Sequence, residues 1–426
     1  MLIDDRILKE YPELSDSQQE AIAHTEGPQL IIAGPGSGKT HVLVIRALNI
    51  LLRGLAKPSE ILLCTFTEKA AFELRDRISL AAKKLNYEGN LSDLLVGTIH
   101  GISNDFLLRY RHRTPLGNNY EVLDDLTQLL FIFEHFGDSI GPEASEKYLT
   151  RWSTRWTAIE GARDYFNKIT EELVDPSALV SSSEPFLASI GAAYQSYVST
   201  LFEKNRVDFA HLQKIFYGLL QEKEIGASIA GKIRYILVDE YQDTNYIQER
   251  LLLRLAKPEN NICVVGDEDQ SLYRFRGATV RNILEFPLHF KKCKVKPLVI
   301  NYRSHEVIVA AYNKFMESAD WSNPGSRVQF RFDKKILPNP EGKFPDYPAV
   351  FCVWGESKKD EASRVADLVH FLQENRVIED FSQVALLLHS VRLEHSGHYL
   401  AALEEKGIPA FCPRARGYFE NDEVRY

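Results

Sequence analysis

Residues 29–40 constrain the fold more than any other part of the chain. An apolar run, Gln29-Leu30-Ile31-Ile32-Ala33, turns through Gly34-Pro35-Gly36-Ser37-Gly38 and enters a helix-forming stretch at Lys39-Thr40. Small residues let the main chain curl until successive N–H groups converge, and the helix start adds partial positive charge, so such a turn is built to hold phosphate. Lys39 then reaches the outer phosphates and the Thr40 hydroxyl can ligate a divalent cation. Ala33 stands where the strict pattern has its first glycine.

The flanking pattern agrees. Strand-like Gln29–Ala33, Ile61–Thr65 and Leu94–Gly97 alternate with helix-like Lys39–Arg53 and Glu68–Lys84. Alternation of this kind predicts a parallel α/β sheet covered on both faces. From about 102 to 206 the apolar spacing becomes helical, as in Leu126, Leu129, Leu130 and Phe133, and strand signals stop. Alternation resumes with Tyr235–Val238, Ile247–Leu255 and Ile262–Val265. The lysines of 291–296 read as a charged connector. Beyond it, strands are expected at 298–300, 349–354 and 384–388, and helices at 306–317 and 361–373.

Composition narrows the class without deciding it. Lys+Arg is 51 against Asp+Glu 59, a net charge of −8, with 44% hydrophobic residues. This is a globular balance, and a net negative chain does not coat polyanions by bulk charge. No apolar run approaches the roughly 20 residues of a membrane helix. The first residues, MLIDDRILKEYPELSD, are acidic where an export signal is basic. The five dispersed cysteines form no CxxC pair. A cytoplasmic protein without disulfides, structural zinc or membrane partner is expected.

A phosphate loop needs a second strand ending in a carboxylate. Tyr235-Ile236-Leu237-Val238-Asp239-Glu240 supplies one. Asp239 at the strand tip can hold the cation, and Glu240, pointing elsewhere, can polarise an attacking water. The 200 positions between Lys39 and Asp239 are filled by the helical stretch, read as an insertion between strands.

Taken in order, the motifs resemble those of the UvrD/Rep/PcrA group of superfamily 1 DNA helicases. They are Leu14 to Ile22, the phosphate loop, Thr65 to Ala71, Gly97 to His100, Val207 to Leu212, Val238 to Asn245, Val265 to Ala278 and Asn301 to Ser304. The resemblance implies a RecA-like P-loop domain over 1–101 and 206–290, a helical insertion over 102–205, and an incomplete second RecA-like domain over 297–426. It implies ATP and Mg²⁺ as cofactors. Gln18 and Tyr302 contact the adenine. Ala33, Gly34, Pro35, Gly36, Ser37, Gly38, Lys39, Thr40 and His41 line the nucleotide, with Thr40 and Asp239 on the metal. Glu240, Lys39, Gln270 and Arg303 serve the chemistry. Phe66, Thr98, His100, Tyr273, Phe275 and Arg276 contact DNA, at single strands and single–double-strand junctions, with 3′→5′ movement driven by ATP hydrolysis.

The residues leave some alternatives open. Ser15-x-x-Gln18 also reads as a helix capping box, and Phe66 and Phe275 also suit an ordinary core. Arg109 to Arg113 reads as a solvated helix end or a phosphate-contacting edge. An ATP-gated nucleic-acid-binding module, or the helicase part of a helicase–nuclease, fits the same motifs. Glu68, His41 and Phe275 depart from the family's usual Asn, Arg and Trp. The later motifs, with a second phosphate-facing arginine, are not found before Tyr426, so a fragment with weak turnover of its own is expected.

Overall fold

The computed structural model describes residues 2–140, 149, 151–272, 277–323, 329–342, 344 and 348–412. The chain divides into two compact units, Met1–Phe344 and Pro345–Tyr426. The first is built on strands β1 (Gln29–Ala33), β2 (Ile61–Thr65), β3 (Leu95–Thr98), β4 (Glu121–Leu123), β5 (Arg206–Asp208), β6 (Tyr235–Val238), β7 (Ile262–Gly266), β8 (Lys294–Leu298), β9 (Ile300–Asn301) and β10 (Leu337–Pro338). Six of these form one parallel sheet in the order β3-β2-β6-β7-β1-β8.

Both faces of that sheet are buried, which explains strands that are apolar throughout rather than alternating. Successive residues divide between two cores. Ile31, Ala33, Leu63, Leu237 and Val265 pack with the helices Lys39–Leu52 and Glu68–Lys84. Leu30, Ile32, Leu62, Cys64, Ile236, Val238 and Val264 pack with the helices Ile99–Tyr110, Phe209–Gln221 and Tyr246–Ala256. The β1–β7 and β6–β7 registers bring the tips of β1, β7 and β6 side by side. Ligands of open α/β sheets bind at such carboxyl ends.

The helical stretch has its own core, in which Ile132, Ile159, Phe166, Tyr197 and Leu201 pack together. At its root β4 pairs with β5, Leu123 opposite Asp208. A buried polar cluster reinforces the root. Asp208 accepts from the Tyr197 hydroxyl at 2.7 Å and from Gln128 Nε2 at 3.1 Å, and its carboxylate lies 2.9 Å from His211 Nδ1. Burial alone would raise the Asp208 carboxyl, but His211 and the Tyr197 hydroxyl hold it below the usual carboxylate range.

Of the lysines expected to form a connector, Lys291 and Lys292 lie in a turn while Lys294 and Lys296 build a strand. Lys294–Leu298 pairs with β1 and takes the edge of the sheet. Period-2 alternation of Lys with Val and Pro is an edge-strand pattern, since an edge tolerates charge. The strand expected over 298–300 is divided between β8 and β9.

In the second unit the helices Lys358–Glu374 and Leu393–Glu405 pack through Ala362, Ala366, Val369, Ala402 and Leu403. The strands expected at 349–354 and 384–388 are not formed among the described residues, and Leu387 is 94% exposed. Apolar content alone does not make a parallel strand, which exists only by pairing with segments distant in sequence.

Candidate nucleotide site and nucleic-acid cleft

The phosphate loop leaves β1 and enters the helix Lys39–Leu52 through two left-handed glycines, Gly36 (φ +69°) and Gly38 (φ +82°). Only glycine takes that backbone freely. At Gly36 there is no room for a side chain either, because a Cβ would lie 2.9 Å from the Arg303 Cβ. Gln18 takes the capping role and also touches the phosphate loop. It completes the capping box with Ser15, and its Nε2 donates to the Ser37 carbonyl at 3.1 Å. His41 packs edge-on against Tyr11 with ring centroids 5.3 Å apart, and burial lowers its pKa.

Five groups converge at the helix start. The Thr40 hydroxyl donates to Asp239 Oδ2 at 2.8 Å. Lys39 Nζ donates to Gln270 Oε1 at 3.1 Å and lies 3.4 Å from Glu240 Oε2. Glu240 is itself left-handed (φ +50°), a conformation costly for a residue with a side chain and concentrated at functional sites. The Glu240 N–H donates to Asp239 Oδ1 at 3.0 Å. Gln242 bridges the neighbouring strand tips: its Nε2 donates to Glu240 Oε2 at 2.8 Å and its Oε1 accepts from the Asp267 N–H at 3.0 Å. Burial, with repulsion from Glu240, pushes the Asp239 carboxyl up to about 6 and that of Asp243 to about 7. A hydroxyl and a carboxylate oxygen in contact are the hard-oxygen donors that Mg²⁺ prefers.

The chain beyond the sheet returns to the loop. The Tyr302 N–H donates to the Gly36 carbonyl at 2.9 Å, and Asn301 Nδ2 donates to the Pro35 carbonyl at 2.8 Å. Asn301 Oδ1 accepts from the N–H groups of Arg303 and Ser304 at 2.8 and 2.7 Å. Tyr302 and Arg303 thus flank the phosphate loop, with Tyr302 38% exposed. Asn301 carried no role in the sequence reading. Its signal is the Asn-x-x-Ser pattern of a side-chain-closed turn.

A second concavity, a cleft of about 830 Å³, opens between the carboxyl ends of β2 and β3 and the helical insertion. Phe66, Thr98 and His100 line it, together with Phe209 and Asn104. The His100 ring lies 5.2 Å from that of Phe209, and burial drives the histidine down to about 4, so it is neutral. Thr98 donates to Glu68 Oε1 at 2.5 Å. Glu68, Asp125, Asp164, Glu171, Glu172 and Asp243 also line the cleft, against the cations Arg163 and Lys168. Glu171, from the insertion, is pushed up to about 8 by burial and then by Asp208. This acidic lining was not anticipated, since its members lie scattered over many segments. Tyr273, Phe275 and Arg276 fall outside the described residues. Arg113, in the basic segment, pairs with Glu222 at 2.7 Å at an exposed position, as for a solvated helix end.

A six-stranded parallel sheet with a phosphate loop after β1 and a carboxylate pair at the tip of β6 is the architecture of the RecA-like P-loop proteins. Residues 14–291 match the family described as UvrD/REP helicase N-terminal domain. The chain is 35% identical over 306 residues to a probable DNA helicase II homolog of Rickettsia conorii, covering 70% of this chain and 44% of that one. It is 28% identical over 419 residues to the ATP-dependent DNA helicase Rep of Buchnera aphidicola subsp. Acyrthosiphon pisum, covering 97% and 59%. It is 30% identical over 432 aligned positions to the ATP-dependent DNA helicase UvrD1 of Mycobacterium tuberculosis, covering 97% and 51%. The chain belongs to the UvrD/REP helicase family, and spans about half the length of these curated relatives.

Proposed function

We propose that this chain carries the ATP-binding and single-stranded-DNA-binding half of an ATP-dependent DNA motor moving 3′→5′. The observation that carries the reading is the convergence of Lys39, Thr40, Asp239, Glu240 and Gln270 at adjoining strand tips. Lys39 sits between two oxygens, Glu240 Oε2 and Gln270 Oε1, where phosphate oxygens bring the same charge and hydrogen-bonding capacity. Thr40 and Asp239 would hold Mg²⁺, which when bound neutralises phosphate charge. Glu240 orients and deprotonates the attacking water. Gln18 and Tyr302 hold the base, and Arg303 adds positive charge against the outer phosphate.

The cleft beneath the insertion takes single-stranded DNA. Aromatic stacking tolerates any base sequence, as a translocating motor requires. The cleft adjoins the nucleotide site through Asp239, Glu240, Phe66 and His100, which line one small cavity, so hydrolysis at one is felt at the other. The proposed division is a first domain over 1–101 and 206–290, an insertion over 102–205 and part of a second domain over 297–426. The chain is expected to bind ATP and an oligodeoxythymidylate strand but to turn ATP over slowly and unwind little. ATP turnover with and without that strand tests this. Fast DNA-stimulated turnover with strand separation by residues 1–426 overturns the slow-turnover part, and loss of neither activity in Lys39→Ala overturns the site itself.

A further inference from the structure

Asp267, Glu268 and Asp269 are three consecutive carboxylates whose side chains are 0–2% exposed. Buried charge of this density persists only when it is paired. Its main partner comes from 67 residues downstream. The Lys334 ammonium, 1% exposed, hydrogen-bonds Asp267 Oδ1 and lies 2.9 Å from Glu268 Oε2 and 3.1 Å from Asp269 Oδ2. Arg331 Nε adds a 2.9 Å bond to Asp269, which the Tyr312 hydroxyl also meets. Burial alone would lower the Lys334 pKa, and the three carboxylates more than offset it.

The cluster reaches the nucleotide site through one carboxylate. Asp267 Oδ1 takes Lys334, and Asp267 Oδ2 accepts from Gln270 Nε2 at 2.5 Å. With its nitrogen committed, the Gln270 amide presents its oxygen to Lys39 Nζ at 3.1 Å. Turning that amide over would set an NH₂ against an ammonium and an oxygen against a carboxylate oxygen, so its orientation depends on Asp267 staying fixed as the acceptor. Lys334, bonded to the other oxygen of the same buried carboxylate, is what fixes it. The same segment continues to Ile336, whose side chain occupies the space a Cβ on Gly34 would need, and to β10, which pairs with the strand bearing Asn301.

We infer that Lys334 is a positioning residue for ATP cleavage, acting through Asp267 to hold the Gln270 amide toward Lys39. This rests on the phosphate-loop seam being an ATPase site. The test is single-turnover ATP hydrolysis by the full chain, with enzyme and oligodeoxythymidylate in excess and ATP affinity measured in parallel. Lys334→Met is expected to slow hydrolysis about tenfold or more, the scale of a misplaced catalytic group, with ATP affinity changed by less than about threefold. Lys334→Arg restores most of the rate. In a Gln270→Ala background, Lys334→Met should cost less than about twofold further, because the two act as one unit.

Equal losses in both backgrounds, or affinity falling in step with rate, overturn the proposal. Where Lys334→Met does not fold, Asp267→Asn carries the test: it removes the charge, keeps the shape, and should show the same slow hydrolysis and the same silence beside Gln270→Ala. A wild-type-like rate in Asp267→Asn overturns the proposal. No hydrolysis by the wild-type chain above that of Lys39→Ala overturns instead the ATPase reading on which it rests.

Discussion

The phosphate-loop seam and the cleft beneath the helical insertion lie a few side chains apart and are built on opposite principles. The seam is small, made of main-chain donors and side chains with fixed partners: Lys39 between Gln270 and Glu240, Thr40 on Asp239, Asn301 on Pro35, Arg303 and Ser304. The cleft is broad, ringed by carboxylates and floored by rings. The first arrangement recognises a compact, highly charged group in one pose. The second, on its described lining, gains little from the charge of a polyanion and draws on ring faces. A ligand held in one pose beside a ligand free to slide is the division of labour that a motor needs.

The sharpest break of that comparison is at Glu240. Glu240→Gln should keep ATP binding and lose hydrolysis by about 10²- to 10⁴-fold, the contribution of a general base, in a rapid-quench assay. A variant that hydrolyses normally removes Glu240 from the chemistry. Next in size is Phe66→Ala. If the cleft works by stacking, DNA affinity measured by anisotropy falls by about 1–3 kcal/mol while ATP affinity holds. Loss of both together would mean that Phe66 is core and that the two regions are not separate.

Salt sharpens the contrast further. Among the described lining residues the cations are Arg163 and Lys168, and these two alone give log affinity for single strands against log salt a slope near about −1.4, at about −0.7 per phosphate neutralised. A much steeper slope would bring in further cations, Arg276 first among them.

The smallest effect concerns Glu171. Its carboxyl, raised to about 8, is neutral below that pH and charged above it. A charged carboxylate repels the phosphate backbone, so DNA affinity should strengthen as pH falls from about 9 to about 7. The gain is about fivefold, the effect of about 1 kcal/mol between unit charges at 4 Å in water. Glu171→Gln should flatten that dependence.

What was legible in the sequence is what depends on neighbours in the chain. The phosphate loop is continuous from Ala33 to Thr40, and the Asp239-Glu240 pair follows directly on an apolar strand, so type and spacing alone place both at strand tips. The alternation that divides β1 between two cores is equally local. Lys334 escaped because its three partners lie more than sixty residues away and one lysine among many carries no pattern. The acidic ring of the cleft escaped because Glu68, Asp125 and Glu171 are brought together only by the insertion folding over the sheet. Lys294 and Lys296 were misread for a physical reason: charge at every second position suits a solvated linker and an edge strand alike, and only pairing with β1 decides between them.

That edge strand also determines where the sheet ends. The Lys294 N–H bonds inward to the Pro28 carbonyl, so by alternation the nitrogens of Val295 and Pro297 face outward. Proline has no hydrogen there to offer, and Lys294 and Lys296 precede it, the second paired with Glu20. A seventh strand arriving at this rim, from another copy or an unfolded chain, would find a missing donor at Pro297, so the edge itself discourages strand addition on this side.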